Sequence, residues 1–246
     1  MFFIKKRKIP LHEFFPEGFV DMHSHLLPGI DDGATDLDNS IALIEKLSSF
    51  GIRKFITTPH VLEDLYPNTP EIIREKEKLV QNELKKRNLT NISIKAAAEY
   101  MLDEKFNEIL EKEAFLTLKD NLVLIEMSYL HPPAKLFEML FEMQLKGYKP
   151  VLAHPERYIS YHHNQKVYSK LKNAGCLFQL NLFSLTNQYN KSVHTVSEKL
   201  LKENMYDFIG TDTHNLTQLE LFTKLSTKNN YKKLEQLISN NTKYLV

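Results

Sequence analysis

Two histidines separated by one residue form the first group in this sequence that could bind a metal ion. In the segment 21–25, Asp-Met-His-Ser-His, extended backbone would place His23 and His25 on the same side of the chain. Two neutral imidazoles supply half of the ligands of a transition-metal site. The loop 26–34 contains two adjacent aspartates followed by a glycine, and this turn would return acidic side chains to the histidines. His-x-His alone is weak evidence, because such pairs also occur in surface loops and in hydrophobic cores.

Potential ligands recur where other short apolar runs end. The motifs are Thr-Thr-Pro-His, Ala-Glu-Tyr, Ile-Glu-Met, Ala-His-Pro-Glu-Arg and Thr-Asp-Thr-His-Asn, and they contain His60, Glu99, Glu126, His154, Asp212 and His214. Each of these residues alone could be a loop acid at a helix start or a polar residue on a rim. Nine such groups at corresponding strand ends would instead crowd imidazoles and carboxylates together. Because the desolvation and repulsion would be costly unless cations neutralise them, the set predicts a metal centre.

The chemistry of this ligand set favours hydrolysis. Carboxylates and imidazoles without thiolates suit Mn, Fe, Co or Zn, and they argue against a closed structural zinc site. Nine ligands exceed what one ion takes, so several ions are expected, and adjacent ions can activate water and clamp the oxygens of an in-line displacement. Arg157, three residues after His154, has a planar guanidinium that matches two phosphate oxygens. The alternative role of Arg157 is a salt bridge to Glu156 or Glu126.

Short β-rich runs alternate with segments of helical periodicity, and this order predicts parallel strands with helices outside them. The predicted strands are 19–23, 54–58, 92–97, 122–126, 150–153, 177–181 and 207–210. The predicted helices are 36–51, 70–88, 103–113, 133–146, 165–173, 196–203 and 231–239. An open doubly wound sheet has a similar local pattern, but it gathers its site around one switch point. Acid or histidine side chains at the C-terminal ends of six of the seven strands favour a closed or nearly closed barrel.

Composition excludes several other classes of function. The chain has 246 residues, of which 42% are hydrophobic, and this is enough for one domain with a large core. Its 32 basic and 31 acidic residues give no broad field that would attract nucleic acid. The single cysteine excludes an internal disulfide, and the sequence shows no secretory signal and no run of about 18 apolar residues. We therefore expect a cytoplasmic protein without a membrane span, whose oligomeric state the sequence leaves open.

In this order, the motifs resemble those of the polymerase-and-histidinol-phosphatase (PHP) superfamily, and within it the bacterial manganese-dependent protein tyrosine phosphatases of capsule and exopolysaccharide loci. The resemblance runs from about Phe19 onward, and its most specific part is His-Ser-His with Asp-Asp-Gly and His-Pro-Glu-Arg. It implies a distorted (β/α)7 TIM-like barrel, the PHP fold, as a single catalytic domain over 19–246, with residues 1–18 as an N-terminal extension. It also implies three divalent metal ions, manganese foremost, with Fe, Co or Zn as alternatives. The implied ligands are His23, His25, Asp32, His60, Glu99, Glu126, His154, Asp212 and His214.

The same resemblance implies a role for Arg157, which matches the family's phosphate-binding arginine and would be both a substrate-binding and a catalytic residue. The implied reaction is attack of a metal-bridging hydroxide on phosphotyrosine, without a phosphoenzyme, while Arg157 and the ions hold the developing charge. The implied partner is a tyrosine autokinase of polysaccharide export. Relatives often carry a second arginine after the last Asp-x-His-Asn, and the segment 215–219 has none. This departure concerns the grip on the substrate more than the metal centre.

Other functions remain as alternatives. A small-molecule phosphatase of the histidinol-phosphatase type could share every ligand and differ only in its pocket, and a non-catalytic, metal-stabilised binding module could share the fold. A metal-dependent amidohydrolase also begins with His-x-His, but it often bridges its metals with a lysine where this chain has Glu126. A thiol phosphatase is excluded, because a Cys-x5-Arg loop from Cys176 would need arginine at the position of Leu182. Aromatic residues in strand-end loops would form an open rim for phosphotyrosine, and these are Tyr129, His131, Tyr158 and Tyr161.

Overall fold

The computed structural model describes residues 15–104, 106–112, 115–186, 188–222 and 231–246, and within them it contains nine strands. They are β1 (Val20–Asp21), β2 (Lys54–Thr57), β3 (His60–Val61), β4 (Ser93–Ala96), β5 (Glu99–Met101), β6 (Leu122–Glu126), β7 (Lys149–Ala153), β8 (Leu177–Asn181) and β9 (Phe208–Gly210). Seven of them confirm the predicted strands. The short strands β3 and β5 are additional, because the chain of β2 resumes after Thr58-Pro59 and that of β4 after Ala97-Ala98. Both resumed segments, β3 and β5, pair within one sheet, which is not the sheet that contains β2 and β4.

All strand pairs are parallel, and they form two sheets. The three-stranded sheet has the order β1-β2-β4, and the six-stranded sheet has the order β3-β5-β6-β7-β8-β9. The chain after β9 lies beside the chain after β1, since Ser24 forms a parallel bridge with Thr213. The N–H of His25 donates to the oxygen of Thr213 at 2.9 Å. The predicted α/β fold with parallel strands is therefore confirmed.

Eight helices accompany the strands within the described residues. They are α1 (Leu37–Ser49), α2 (Pro70–Lys86), α3 (Phe106–Lys112), α4 (Leu136–Leu145), α5 (Lys166–Asn173), α6 (Lys191–Lys202), α7 (Leu216–Phe222) and α8 (Tyr231–Tyr244). Asp36 caps α1 as the sequence predicts, because its carboxylate accepts from the N–H of Asn39 at 2.8 Å. The predicted start of α6 at Val196 is wrong, since Asn190 caps this helix and accepts from the N–H of Val193 at 2.9 Å. Helix α7 has no counterpart among the predicted helices.

The strands are buried on both faces. Along β6, Val123 and Ile125 pack into the larger hydrophobic cluster, while Leu124 between them packs into a second, smaller cluster with Val151 of β7. Alternate side chains of one strand therefore enter two different apolar layers, as is usual for parallel strands covered by helices. With the strand bodies apolar, the polar side chains are confined to the strand ends.

The N-terminal boundary is only partly visible. Residues 1–14 of the predicted extension 1–18 lie outside the described residues, so the boundary stays a prediction. Phe15 packs against Phe19, with ring centroids 4.5 Å apart. Within the part of the chain that the structure describes, no helix has the length and apolar character needed to cross a membrane.

Candidate metal centre

The polar side chains that the sequence singles out meet at the C-terminal ends of the strands. His23 and His25 follow β1, and Asp32 lies in the loop after them. His60 and Glu99 follow β2 and β4, at the start of the short strands β3 and β5. The remaining members follow the same rule: Glu126 ends β6, His154 follows β7, and Asp212 and His214 follow β9. Because strands in a parallel sheet share one direction, their ends meet at one edge, and residues far apart in the sequence come into contact there.

Glu99 lies at the centre of this group and is fully buried. Its Oε2 atom lies 3.1 Å from His23 Nε2 and 3.3 Å from His60 Nδ1. Its Oε1 atom lies 3.1 Å from His154 Nε2. Burial alone would raise the pKa of Glu99, but the charges on His23 and the other imidazoles hold it well below the usual value. His25 Nε2 lies 3.5 Å from Oε2 as well, so the ionised carboxylate faces four imidazoles with its two oxygens.

Asp212 is the second buried carboxylate of the group. Its Oδ1 atom lies 3.3 Å from His23 Nε2, 3.4 Å from His25 Nε2 and 3.5 Å from His214 Nδ1. Its backbone has φ +51°, and that of His154 has φ +34°. These left-handed conformations are costly for residues other than glycine, and such strain commonly accumulates at functional sites.

A third set of contacts reaches the surface. Asp32 Oδ1 lies 3.4 Å from the Nε2 atoms of both His60 and His214, and its side chain is 53% exposed. The Oε1 atom of Glu126 lies 2.7 Å from His60 Nδ1. Burial opposes the charge on His60, but the adjacent Glu126 carboxylate raises its pKa to about 9. Partial burial would raise the pKa of Asp32, but the hydrogen bond and the charge of His214 lower it to about 2.

The arrangement of these nitrogen and oxygen atoms suits the binding of cations better than hydrogen bonding among the side chains themselves. Four overlapping groups each have ligand atoms within 4.8 Å of one another, and together they use the nine residues named as ligands. His60 Nδ1 and Glu99 Oε1 are buried beside oppositely charged atoms, yet neither makes a hydrogen bond of acceptable geometry to any described residue. Nitrogen and oxygen lone pairs that converge without hydrogen bonds are the arrangement that a metal ion requires.

Three supporting side chains do not appear among the predicted site residues. Gln179 Oε1 accepts from His23 Nδ1 at 2.9 Å, and Asp31 Oδ2 accepts from His25 Nδ1 at 2.8 Å. Asn181 Nδ2 donates to Asp212 Oδ2 at 2.6 Å. These bonds fix the ring orientations and leave the Nε2 atoms of both histidines facing the centre. A signal was present in the sequence, since Gln179 and Asn181 are two amides at a spacing of two in an otherwise apolar strand.

Arg157 occupies one wall of the site. Its Nη1 atom donates to Asp212 Oδ2 at 2.7 Å. The guanidinium lies between two aromatic rings, 4.5 Å from the centroid of Tyr129 and 4.3 Å from that of Tyr189. Asp212 is therefore its partner, in place of the salt bridge to Glu156 or Glu126 considered from the sequence. The cation is held in a defined orientation beside the ligand cluster.

Glu156 has a structural role in the same turn. It is fully buried, and its carboxylate accepts from the N–H of Asn181 at 3.0 Å and from the hydroxyl of Tyr206 at 3.0 Å. Burial raises the pKa of Glu156 to about 7, although these hydrogen bonds oppose the rise. The side chain therefore connects the Pro155–Arg157 turn to β8 and to the chain before β9.

A cavity of about 210 Å³ opens over the ligands. Tyr66 and Tyr129 line it together with Arg157, and the Tyr66 ring stacks on that of His60 with centroids 5.7 Å apart. The expected aromatic rim is wrong for Tyr158 and Tyr161, because both rings are buried in the core. Tyr158 instead donates to the oxygen of Ala153 at 3.0 Å. His131 is exposed and lines a neighbouring groove.

Comparison with known proteins identifies a consistent set of relatives. The family described as capsular polysaccharide synthesis, CpsB/CapC, matches residues 19–246. The tyrosine-protein phosphatase YwqE of Bacillus subtilis (strain 168) is 31% identical over 206 residues, which cover 83% of this chain and 81% of that protein. The putative tyrosine-protein phosphatase CapC of Staphylococcus aureus is 29% identical over 229 residues, which cover 90% of this chain and 89% of that protein.

Comparison with solved structures finds relatives of the same kind as the sequence comparison. The chain is similar to a structure described as YwqE from Bacillus subtilis and CpsB from Streptococcus pneumoniae, unique metal-dependent tyrosine phosphatases. The TM-score is 0.76 at 30% sequence identity, and the match covers 90% of this chain and 94% of that chain. An amidohydrolase from Mycoplasma synoviae has a TM-score of 0.55 at 11% identity, and it covers 96% of this chain and 89% of that chain. At such low identity this second likeness is evidence of the fold alone.

Proposed function

The chain belongs to the CpsB/CapC family of capsular polysaccharide synthesis, and from that premise we propose that it is a metal-dependent protein tyrosine phosphatase. The observation that carries the proposal is the convergence of nine potential ligands in overlapping groups, six of which line one cavity of about 210 Å³ together with Arg157. The site thus combines groups that hold cations with a guanidinium suited to a phosphate. A phosphomonoester is the substrate class that needs both.

We assign the metal ligands to His23, His25, Asp32, His60, Glu99, Glu126, His154, Asp212 and His214. The overlap of the four ligand groups supports a centre of several divalent ions. We propose three ions, with manganese foremost, as the family resemblance implies. Glu99 belongs to two groups, and its two oxygens face different imidazoles, so this carboxylate could contribute to more than one ion site. Divalent ions held by this set would lower the pKa of a water molecule and neutralise charge on the phosphoryl oxygens.

The residues of the chain supply binding and orientation. The bond to Asp212 uses one of the five N–H donors of Arg157, so the others are available to phosphate oxygens. Tyr129 and Tyr189 hold the plane of the guanidinium, which reduces the entropy lost when the substrate binds. Tyr66 and Tyr129 flank the cavity where the aromatic ring of a phosphotyrosine would lie.

Two finer proposals accompany this assignment. We propose that the two sheets belong to the distorted (β/α)7 barrel of the PHP fold, which is supported by the bridge between Ser24 and Thr213 and by the placement of the ligands at strand ends. We also propose a tyrosine autokinase of polysaccharide export as the partner, which is supported by the family's description as capsular polysaccharide synthesis.

The first test compares substrates with the purified 246-residue protein and added Mn²⁺. Hydrolysis of phosphotyrosine peptides that exceeds hydrolysis of histidinol phosphate supports the proposal, and the reverse order assigns the chain to small-molecule phosphatases. Absence of turnover of either substrate, with metal bound, would leave a binding module as the remaining function. The partner is tested with an autophosphorylated capsule autokinase, whose phosphotyrosine signal should fall on incubation with this protein.

A further inference from the structure

A second, larger groove adjoins the cavity over the metal centre. Its volume is about 800 Å³, which is within the range of sites that bury small ligands. Leu62, Met101 and Tyr129 line both the cavity and the groove, so the two spaces are direct neighbours. The groove lies between the segment that follows β5 and the loop that joins β6 to α4.

The lining of this groove is mainly apolar. Three methionines, Met101, Met127 and Met139, contribute to it, and Leu130 lies on its edge with 64% of its surface exposed. Methionine side chains adapt to ligands of different shape, because they are unbranched and polarisable. The metal cavity next to it is instead lined by imidazoles, carboxylates and Arg157. A molecule that spans both spaces must therefore carry a phosphate at one end and an apolar group near it.

We propose that this groove binds the polypeptide segment next to the phosphotyrosine, with an apolar side chain of that segment buried among the methionines. The inference rests on the proposed function and adds a substrate preference to it. The cavity of about 210 Å³ is much smaller than the adjoining groove of about 800 Å³, so we assign the phosphorylated side chain to the cavity and the chain that carries it to the groove. The edge formed by Leu62, Met101 and Tyr129 belongs to both spaces, so a chain that leaves the cavity across this edge enters the groove. A small phosphate ester would leave the groove empty.

The groove predicts selectivity that a small substrate cannot show. Phosphotyrosine peptides with leucine beside the phosphotyrosine should have a kcat/KM on the order of tenfold or more above matched peptides with serine there, because one apolar side chain is removed from water. Since the direction of the bound chain is open, the peptide set carries leucine or serine on either side. Free phosphotyrosine serves as the substrate that does not reach the groove.

Two surface variants test the assignment to this groove. Leu130→Asn removes an apolar edge residue without adding charge, and Ala134→Trp fills the groove from an exposed position on its lining. Both should abolish the preference for leucine peptides and leave turnover of free phosphotyrosine within about twofold of the wild type. The matched control is Leu145→Asn, which changes a leucine of similar exposure, 70%, on α4 outside the groove.

A binding measurement keeps the outcome separate from that of the proposed function. Fluorescein-labelled peptides with a non-hydrolysable phosphonate in place of the phosphate should bind more tightly with leucine than with serine, as measured by fluorescence anisotropy. Equal affinities for the two peptides in the wild type, or equal losses in the Leu145→Asn control, would overturn the groove assignment. Failure of the wild type to hydrolyse both the phosphotyrosine peptides and free phosphotyrosine in the presence of Mn²⁺ would instead overturn the proposed function.

Discussion

Replacement of Arg157 by alanine is the perturbation that most directly tests the proposed chemistry. We expect kcat/KM for phosphotyrosine substrates to fall by about 10²–10³-fold, since a preorganised donor facing developing charge in a water-poor site contributes roughly 2.7–4 kcal/mol. The side chain is 18% exposed, donates to Asp212 at 2.7 Å and lies between two aromatic rings, so its position is fixed before substrate binds.

The metal centre should survive this substitution. Arg157 bonds to Asp212 Oδ2, whereas the three nearby imidazoles face Oδ1. After the substitution, Asn181 still donates to Oδ2 at 2.6 Å. The carboxylate therefore keeps a donor on one oxygen and its proposed ligand position on the other, and the metal content should stay close to that of the wild type.

Steady-state kinetics with added Mn²⁺, together with metal analysis by mass spectrometry, distinguish the two effects. Arg157→Lys is the matched variant, because it keeps the charge but loses the planar fork and the stacking on Tyr129 and Tyr189, and its rate should lie between those of the wild type and Arg157→Ala. Wild-type kinetics in Arg157→Ala would refute the assigned role. A loss of metal in proportion to the loss of rate would instead assign Arg157 to the structure of the centre.

Four further predictions concern the centre and the core. Removal of metal by a chelator should abolish phosphatase activity and lower the melting temperature, and added Mn²⁺ should restore both. The physical reason is that a ligand at about 100 times its Kd stabilises the folded state by roughly 2.7 kcal/mol. An unchanged melting curve would contradict a metal site of nine ligands. Cys176 is 1% exposed, and burial raises its pKa to about 12. A thiol reagent at pH 8 should therefore label it slowly in the native protein and rapidly in urea. Rapid labelling of the native protein would show that this part of the core opens. Gly33→Ala would place a Cβ atom 2.2 Å from the backbone oxygen of His25, so it should lower the melting temperature more than Gly147→Ala does. The Cβ atom of Gly147→Ala meets nothing within 4 Å, and that variant costs only the strain of positive φ, on the order of 1–2 kcal/mol. Equal shifts of the melting temperature would mean that the loop around Gly33 relaxes freely. Tyr206→Phe removes the hydroxyl that donates to buried Glu156 and should lower the free energy of unfolding in urea by about 1–3 kcal/mol; a smaller loss would show that another donor replaces it.

The sequence by itself determined the strands and the edge at which the site forms. Apolar runs that end in His60, Glu99, Glu126 and His154 recur along the chain, and parallel strands bring such ends to one edge whatever the length of the helices between them. The helix ends that carry strong caps, such as Asp36 before α1, were predictable for the same local reason.

The sequence failed where an element depends on distant contacts. The two-residue strand β3 and the helix α7 are too short to be stabilised by local propensity, and each forms against neighbours from other parts of the chain. Tyr158 and Tyr161 follow β7 as potential rim residues, yet both rings turn into the core. Periodicity and loop position indicate where a side chain starts, but they do not indicate the depth at which it packs.

Only the tertiary structure decided which groups pair within the site. It places Tyr189 under Arg157 and Gln179 against His23, although 32 and 156 residues separate the members of these pairs. It also directs the two oxygens of Asp212 to different partners. Hydrogen bonds and stacking contacts form over a few ångströms between side chains with fixed rotamers, and the backbone positions that set those distances come from the packing of the whole sheet. Residue types along the chain name the candidate ligands, and the folded arrangement determines their neighbours.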